Sequence, residues 1–350
     1  MKEQPNRHPE FDSSAGASSV GEILDLLGHM PDGDSAAHAA CLSRESQLTK
    51  PQGALGRLEE LSAWLAFWQG GAPKLEKPLV CVFAGNHGVA AQGVSAYPAA
   101  VTAQMVANFR DGGAAINQLA RAIDAELRVF ELTLDKPTRD FTQEPAMDEP
   151  EFLHAFSIGM KAVTPGCDVL CLGEMGIANT TAAAALGHGL FGGLAEEWTG
   201  PGTGVSGEGL AKKAEVVRDG VRMNRETMTN AVQVLRCLGG RELAAIAGAV
   251  LAARYWRIPV LLDGYVCTAA AAALYAADPR ALDHCRIAHV SAEPGHRRLV
   301  EYLNQKPLLD LNMRLGEGSG AALAVFLLKG AVACHNGMAT FAEAGVSGKS

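Results

Sequence analysis

From about Val20 to Gln69 the apolar residues recur at three- and four-residue spacing, as in Leu58, Leu61, Leu65 and Trp68. That is the period of one buried helix face, so the pattern predicts two or three amphipathic helices. After Pro73 the pattern changes to short apolar runs: Leu79–Phe83, Leu127–Leu132, Asp168–Leu172, Pro259–Leu262 and Ile287–Val290. Long helical segments separate them. Strands that alternate with helices and are apolar on both faces predict an α/β fold, a mostly parallel sheet covered on two sides.

Two further stretches, Ala244–Trp256 and Ser319–Cys334, are rich in alanine and glycine and are interrupted or ended by Arg254 and Lys329. They read as packed helices of a soluble core, too short and too weakly apolar for a bilayer. Residues 1–19 are polar, with Pro5, Pro9 and a Ser/Gly/Ala stretch. This predicts a flexible N-terminus without the apolar segment of a secretory signal.

With 350 residues, 48% hydrophobic and 19% charged, the chain is too apolar to be mainly disordered and long enough for one large or two modest domains. Lys and Arg number 30 against 38 Asp and Glu, a formal net charge of -8. No dense basic cluster with interleaved aromatics occurs, so nucleic acid is not expected as a partner. The cysteines at 41, 81, 167, 171, 237, 267, 285 and 334 form no CxxC pair. Reduced thiols in a cytoplasmic protein are expected, rather than disulfides or a zinc site.

In a parallel sheet, ligands gather where strands end and helices begin, because unpaired backbone N–H groups and loops meet there. Four of the expected strand ends are polar: Ala84-Gly-Asn-His-Gly88, Gly173-Glu-Met-Gly-Ile-Ala-Asn-Thr-Thr181, Asp263-Gly264 and Ser291-Ala-Glu-Pro-Gly295. Two more polar clusters open helices, Thr199–Gly207 before Lys212 and Lys213, and Arg314-Leu-Gly-Glu-Gly-Ser-Gly320 before the helix from about Ala321 to Cys334.

Each cluster has a plain reading beside a chemical one. Gly202-Thr-Gly204-Val-Ser-Gly207 spells GxGxxG, but no β-like run precedes it, so the dinucleotide fingerprint lacks its strand. A glycine-rich helix start followed by lysine suits a phosphate monoester; capping glycines in an ordinary loop are the alternative. Gly348-Lys-Ser350 resembles a phosphate loop yet lacks the first glycine and a following helix. Glu174 and Glu317 sit in glycine-flanked turns before helices, as placed carboxylates or as solvated ones favoured by the helix dipole. Asn179-Thr-Thr181 caps a helix or offers donors to a ribose or phosphate. His87 stands in a strand-end loop where imidazole acts as acid, base or ligand, whereas His284 and His289 read as structural. No His/Cys spacing forms a metal set, and no acidic loop for magnesium pyrophosphate is present, so neither metal nor cofactor is expected.

Taken in order, Asn86-His-Gly-Val89, Gly93-Val-Ser-Ala-Tyr-Pro98, Gly173–Thr181, Gly202-Thr-Gly204 and Arg314–Gly320 resemble the nicotinate-nucleotide:dimethylbenzimidazole phosphoribosyltransferase family. The resemblance runs from Lys50-Pro-Gln-Gly-Ala-Leu-Gly-Arg57 to Met338-Ala-Thr340. It implies transfer of phosphoribose from nicotinate mononucleotide to a benzimidazole base, giving α-ribazole phosphate and nicotinate for the lower ligand of cobalamin. It also implies a Rossmann-like, mostly parallel sheet with helices on both faces, a small helical domain built from both chain ends, and a homodimer. The corresponding boundaries are 1–19 for the flexible N-terminus, 20–72 for the helical segment of the small domain, 73–310 for the large α/β domain and 311–350 for the C-terminal loop and helix.

By the same resemblance Glu317 is the general base, and Glu174 assists electrostatically or as a second base. Phosphate and ribose would meet Gly176, Asn179, Thr180, Gly202, Thr203, Gly204, Lys213, Asp263 and Ser291. The base would lie against Tyr97, Met175 and Leu315, near Ser95 and Gln104, with Arg314 and Gly316 also binding substrate. The chain departs from the family pattern at Asn86, where Asp is common, and at Ala178, where Gly is common. The first removes a carboxylate from the base-binding side, so Asn86 receives no proton-transfer role. For Glu317 a helix N-terminus lowers the pKa while an apolar ligand raises it. Two other readings stand beside this one. They are a nucleotide-binding regulator or carrier without turnover and, resting on the literal GxGxxG alone, an NAD-dependent oxidoreductase.

Overall fold

The computed structural model describes Ser13 and residues 15–347. The expected flexible N-terminus therefore falls largely outside the described residues, and the phosphate-loop-like tail wholly so. In chain order the elements are α1 Val20–Gly28, α2 Ser35–Glu45, α3 Arg57–Gln69, β1 Pro78–Ala84, α4 Ala100–Asp111, α5 Ala115–Ala122, β2 Glu126–Glu131, α6 Glu149–Ala162 and β3 Val169–Met175. Then follow α7 Asn179–Phe191, α8 Ala195–Trp198, α9 Glu208–Asn224, α10 Ala231–Leu238, α11 Arg241–Tyr255, β4 Val260–Leu262, α12 Tyr265–Ala277, β5 Cys285–Ile287, α13 Pro294–Tyr302, α14 Ser319–Gly337 and α15 Phe341–Ala344. The amphipathic start of the chain becomes three helices, two of them opened by side-chain caps. Ser19 Oγ accepts from Glu22 N at 3.1 Å, and Asp34 Oδ1 accepts from Ala36 N and Ala37 N at 2.9 Å.

The strands lie in the order β2-β1-β3-β4-β5 and every neighbouring pair is parallel. Alternation along each strand feeds two separate cores. Leu79, Cys81 and Phe83 of β1 join a core with α6, α7, α10, α11 and α12 on one face. Val80, Val82 and Ala84 join a core with α3, α4, α5 and α14 on the other. The expected two-sided α/β sheet is thus present, doubly wound. Each predicted run contributes a strand, but the last is shifted. β5 ends at Ile287, and beyond it the chain exchanges bonds with a returning segment, Leu309 N to Ala288 O at 3.0 Å and Val290 N to Leu309 O at 2.9 Å.

The two chain ends are clasped together. Leu48 and Thr340 form an antiparallel bridge, Arg44 Nε donates to His335 O at 2.9 Å, and His335 Nδ1 lies 2.7 Å from Glu45 Oε1. Helix α1 instead packs on the opposite core through Val20, Ile23 and Leu27. Helix α14 corrects one argument from the sequence. It runs 19 residues and is long and apolar enough to cross a membrane, so length does not exclude a span. Its packing against α3, α5, β3 and β4 assigns it to the protein core.

The strand order reverses between β1 and β3, where the chain first turns to one side of β1 and later to the other. At such a switch point the loops leave in opposite directions and open a crevice at the strand ends.

Candidate active site

Strand β3 carries Glu174 and Met175 into this crevice, and the turn Gly176–Ala178 leads into α7. Ala178 has φ +76°, the left-handed conformation that glycine adopts freely and that strains an alanine. At the start of α7, Asn179 Nδ2 donates to Glu174 Oε2. Thr102 Oγ1 on α4 accepts from Ile177 N at 3.1 Å and so ties α4 to the same turn.

A second loop, between α13 and α14, brings Glu317 alongside. Gly316, Glu317 and Gly318 have φ of +85°, +63° and +84°, three consecutive left-handed residues of which Glu317 is the strained one. The loop is held by backbone and carboxylate together. Glu317 N donates to Glu174 O at 3.2 Å, while Asp263 accepts from Gly318 N at 3.0 Å and from Ala321 N at 2.9 Å. The approach is close enough that a Cβ on Gly316 would stand 2.4 Å from Glu174 Oε1.

The third component is the loop Gly200–Gly207. Its Gly202 N donates to Glu293 Oε1 at 2.9 Å, and Arg314 Nη1 donates to Gly202 O at 3.2 Å. Lys213, from α9, reaches up beneath it and donates to Thr180 Oγ1 at 2.8 Å and to Gly200 O at 3.0 Å. Across the opening, Thr203 Oγ1 pairs with Ser95 Oγ at 2.9 Å and accepts from Ala96 N at 3.1 Å.

These loops surround a cavity of about 500 Å³. Of the residues expected from the sequence, Glu174, Glu317, Tyr97, Met175, Gly176, Asn179, Thr180, Gly202, Thr203, Ser291, Arg314, Leu315 and Gly316 all line it. Tyr97 and Leu315 remain 55% and 57% exposed, flanking its mouth. Five others lie off the wall. Ser95 stands behind Thr203 through their hydrogen bond, Lys213 is wholly buried behind Thr180, and Asp263 is wholly buried behind the Glu317 loop. Gly204 and Gln104 are exposed outside it. Asp263 therefore meets backbone N–H groups where a sugar or phosphate was expected. Asn86 does not line the cavity either, and its Nδ2 donates to Leu134 O at 2.9 Å. His87 also lies outside the cavity wall, buried against Glu242.

The wall also holds residues the sequence reading missed: Val101, Met105, Ile177, Gly264, Tyr265, Val266, His289 and Glu293. Val101 and Met105 stand one turn apart on α4 just after Tyr97, a spacing visible in the sequence. Glu293 lies within the polar Ser291–Gly295 motif, and only folding reveals that it accepts from Gly202.

The electrostatics of the cavity follow from burial. Burial, then the neighbouring Asp263, push Glu317 up to about 7, and its Oε2 has no hydrogen-bond partner. Burial by the protein itself therefore already raises Glu317 without a ligand over it. Burial and Asp263 likewise push Glu174 up to about 8, against the Asn179 hydrogen bond. Burial brings Lys213 down to about 8, with Glu293 opposing. All eight cysteines are free thiols. Among the described residues no cluster of three or more His, Cys, Asp or Glu could hold a metal ion.

A family model described as phosphoribosyltransferase matches residues 30–346. Nicotinate-nucleotide–dimethylbenzimidazole phosphoribosyltransferase of Ruegeria pomeroyi is 60% identical over 331 residues, covering 94% of this chain and 98% of its own. The enzyme of the same name from Rhizobium meliloti is 57% identical over 336 residues, 96% of this chain and 99% of its own. A solved structure of the Thermus thermophilus phosphoribosyltransferase superposes with a TM-score of 0.84 at 40% identity, covering 90% of this chain and all of that one. A chain that shares its sequence with these enzymes almost end to end, and its fold with one of them, belongs to the nicotinate-nucleotide–dimethylbenzimidazole phosphoribosyltransferase family.

Proposed function

We propose that the protein transfers the phosphoribosyl group of nicotinate mononucleotide to dimethylbenzimidazole, releasing nicotinate and forming α-ribazole phosphate for the nucleotide loop of cobalamin. The observation that carries this reading is a pair of buried glutamates with raised pKa, Glu174 and Glu317, joined through their backbones in the wall of one cavity. That wall is mixed in a way that suits the two substrates. Val101, Met105, Tyr97, Met175 and Leu315 offer apolar surface to a flat base, and Asn179, Thr180, Thr203 and Ser291 offer donors to a ribose phosphate, with Gly202 beside them.

In the reaction the bond from the anomeric carbon to the pyridinium nitrogen breaks, and its electron pair neutralises the departing ring. One benzimidazole nitrogen attacks the same carbon from the opposite face, which inverts the β-nucleotide to an α-product. The other nitrogen gives up its proton to the ionised Glu317, whose pKa near 7 suits a base working at neutral pH. Glu174, with a pKa near 8, is mostly protonated at neutral pH; its ionised fraction, which grows as pH rises towards 8, would favour the cationic character that develops on the sugar. Lys213 acts from behind, orienting Thr180 and adding positive charge beneath the phosphate.

The reading extends to a homodimer in the cytoplasm, where eight free thiols suit a reducing compartment. The clasp between α2–α3 and α14–α15 supports a small helical unit built from both chain ends.

A metal-free incubation of purified protein with nicotinate mononucleotide and dimethylbenzimidazole tests the reading. Base-dependent release of nicotinate together with α-ribazole phosphate is expected. Nucleotide binding without nicotinate release would replace the enzyme with a carrier.

A further inference from the structure

His87 and Glu242 form a hydrogen-bonded pair inside the protein, His87 Nε2 to Glu242 Oε1 at 2.5 Å, with both side chains buried. Neither residue lines the cavity. Glu242 enters from the first turn of α11, and His87 follows the end of β1, so the pair lies beside the point where the strand order reverses.

The surroundings are built to fit it. Gly85, Gly176 and Gly240 close over the pair, and a Cβ on any of them would meet it, at 2.3 Å from Glu242 Oε2, 2.9 Å from Glu242 Oε1 and 2.3 Å from His87 Cε1 respectively. Gly176 is itself part of the cavity wall, so the pair lies one glycine behind the ligand space. Gly176 O accepts from Asn179 N at 3.1 Å to begin α7, and Gly85 N donates to Met175 O at 3.0 Å to pin the residue after Glu174. The pair thus backs the turn that presents Glu174, Asn179 and Thr180.

Stability alone does not account for this arrangement. A buried polar pair is often replaceable by apolar residues of similar volume without loss. Here Glu242 Oε2 and His87 Nδ1 are also left without hydrogen-bond partners, an added cost of burial. A polar pair retained under those conditions, directly behind a ligand cavity, is accounted for by a task in the site.

We propose that His87 and Glu242 are positioning residues for the phosphoribosyl transfer, fixing the Gly176 turn and through it Glu174 and the first residues of α7. The inference rests on the function proposed above. Its test compares Glu242→Gln and His87→Gln with the unaltered protein in nicotinate release, thermal unfolding and nicotinate mononucleotide binding by calorimetry.

A misplaced turn is expected to lower kcat/KM for the nucleotide by ~10²-fold, while KM for the base changes less than about twofold and the variants remain folded. Turnover within about twofold of the unaltered protein in both variants would overturn the proposal. So would loss of folding in both, because the pair would then hold up the fold rather than the site. If the unaltered protein itself releases no nicotinate, the proposed function fails separately. The pair is then judged by nucleotide affinity, which is expected to weaken at least about tenfold in the variants and would overturn the inference if unchanged.

Discussion

Glu317 donates its backbone N–H to the carbonyl oxygen of Glu174 at 3.2 Å, so two segments 143 positions apart in sequence, 174 and 317, meet through main chain before their carboxyl groups act. The bond places the two glutamates side by side in the cavity wall. It leaves their side chains free to differ in role, since Glu174 is held by Asn179 while Glu317 Oε2 has no partner.

Replacing Glu317 by Gln removes the proton acceptor without removing the loop. The left-handed backbone at 317 and the bond to Glu174 O are unaffected by the exchange, because both belong to the main chain. The expected outcome is a kcat lowered by about 10²–10⁴-fold with nucleotide binding within about threefold of normal. Steady-state kinetics and calorimetry on one preparation check it, and near-normal turnover would remove Glu317 from its role.

The pH dependence carries the same assignment. A base with a pKa near 7 must be ionised to accept a proton, so kcat/KM should rise as pH increases through about 7 and level off above it. In Glu317→Gln the residual activity should lose that rise. A rising limb that survives in the variant would assign it to another group.

Asp263 links the sequence-based expectation to a different outcome. Its two oxygens accept from Gly318 N and Ala321 N, so Asp263→Ala strands two N–H groups beside Glu317. The expected cost is about 1–3 kcal/mol in stability for each stranded group, seen as a lower Tm, together with a fall in kcat larger than the change in KM for the nucleotide. Asp263→Asn, which keeps one acceptor oxygen, should be milder on both measures. A nucleotide KM raised more than kcat is lowered would return Asp263 to the substrate.

The same case marks what the sequence could reveal. The strand runs were legible because a sheet buried on both faces needs continuous apolar segments, and Leu79–Phe83 is one. Glu174, Asn179 and Glu317 were legible because they sit where a strand or glycine turn meets a helix. Asp263 and Lys213 carry equally suggestive chemistry, yet whether such a group faces a ligand or a neighbouring backbone depends on side-chain depth, which no local pattern encodes. The pairing of His87 with Glu242 spans 155 positions and is created only when α11 is laid against β1.

Burial of Glu174 has a consequence that does not depend on substrate. Its carboxyl titrates near 8 in the folded chain against an ordinary value of 4.5, so between these pH values the folded state holds a proton that the unfolded state has lost. Folding stability then falls with rising pH across that window, and the contribution is fully present only below about 4.5. Glu174→Gln keeps the size of the side chain and an oxygen for Asn179 Nδ2 but removes the titration. Glu317 titrates in part of the same window and Lys213 near its upper end, so the comparison uses the difference between variant and unaltered protein, in which their contributions cancel to first order. That difference should be flat below pH 4.5 and should then grow in favour of the variant by at most about 1.4 kcal/mol per pH unit up to about 8. Denaturant unfolding at a series of pH values measures it directly. Parallel stability curves across that range would mean that Glu174 is ionised at its ordinary pKa, and would withdraw the buried proton from the site.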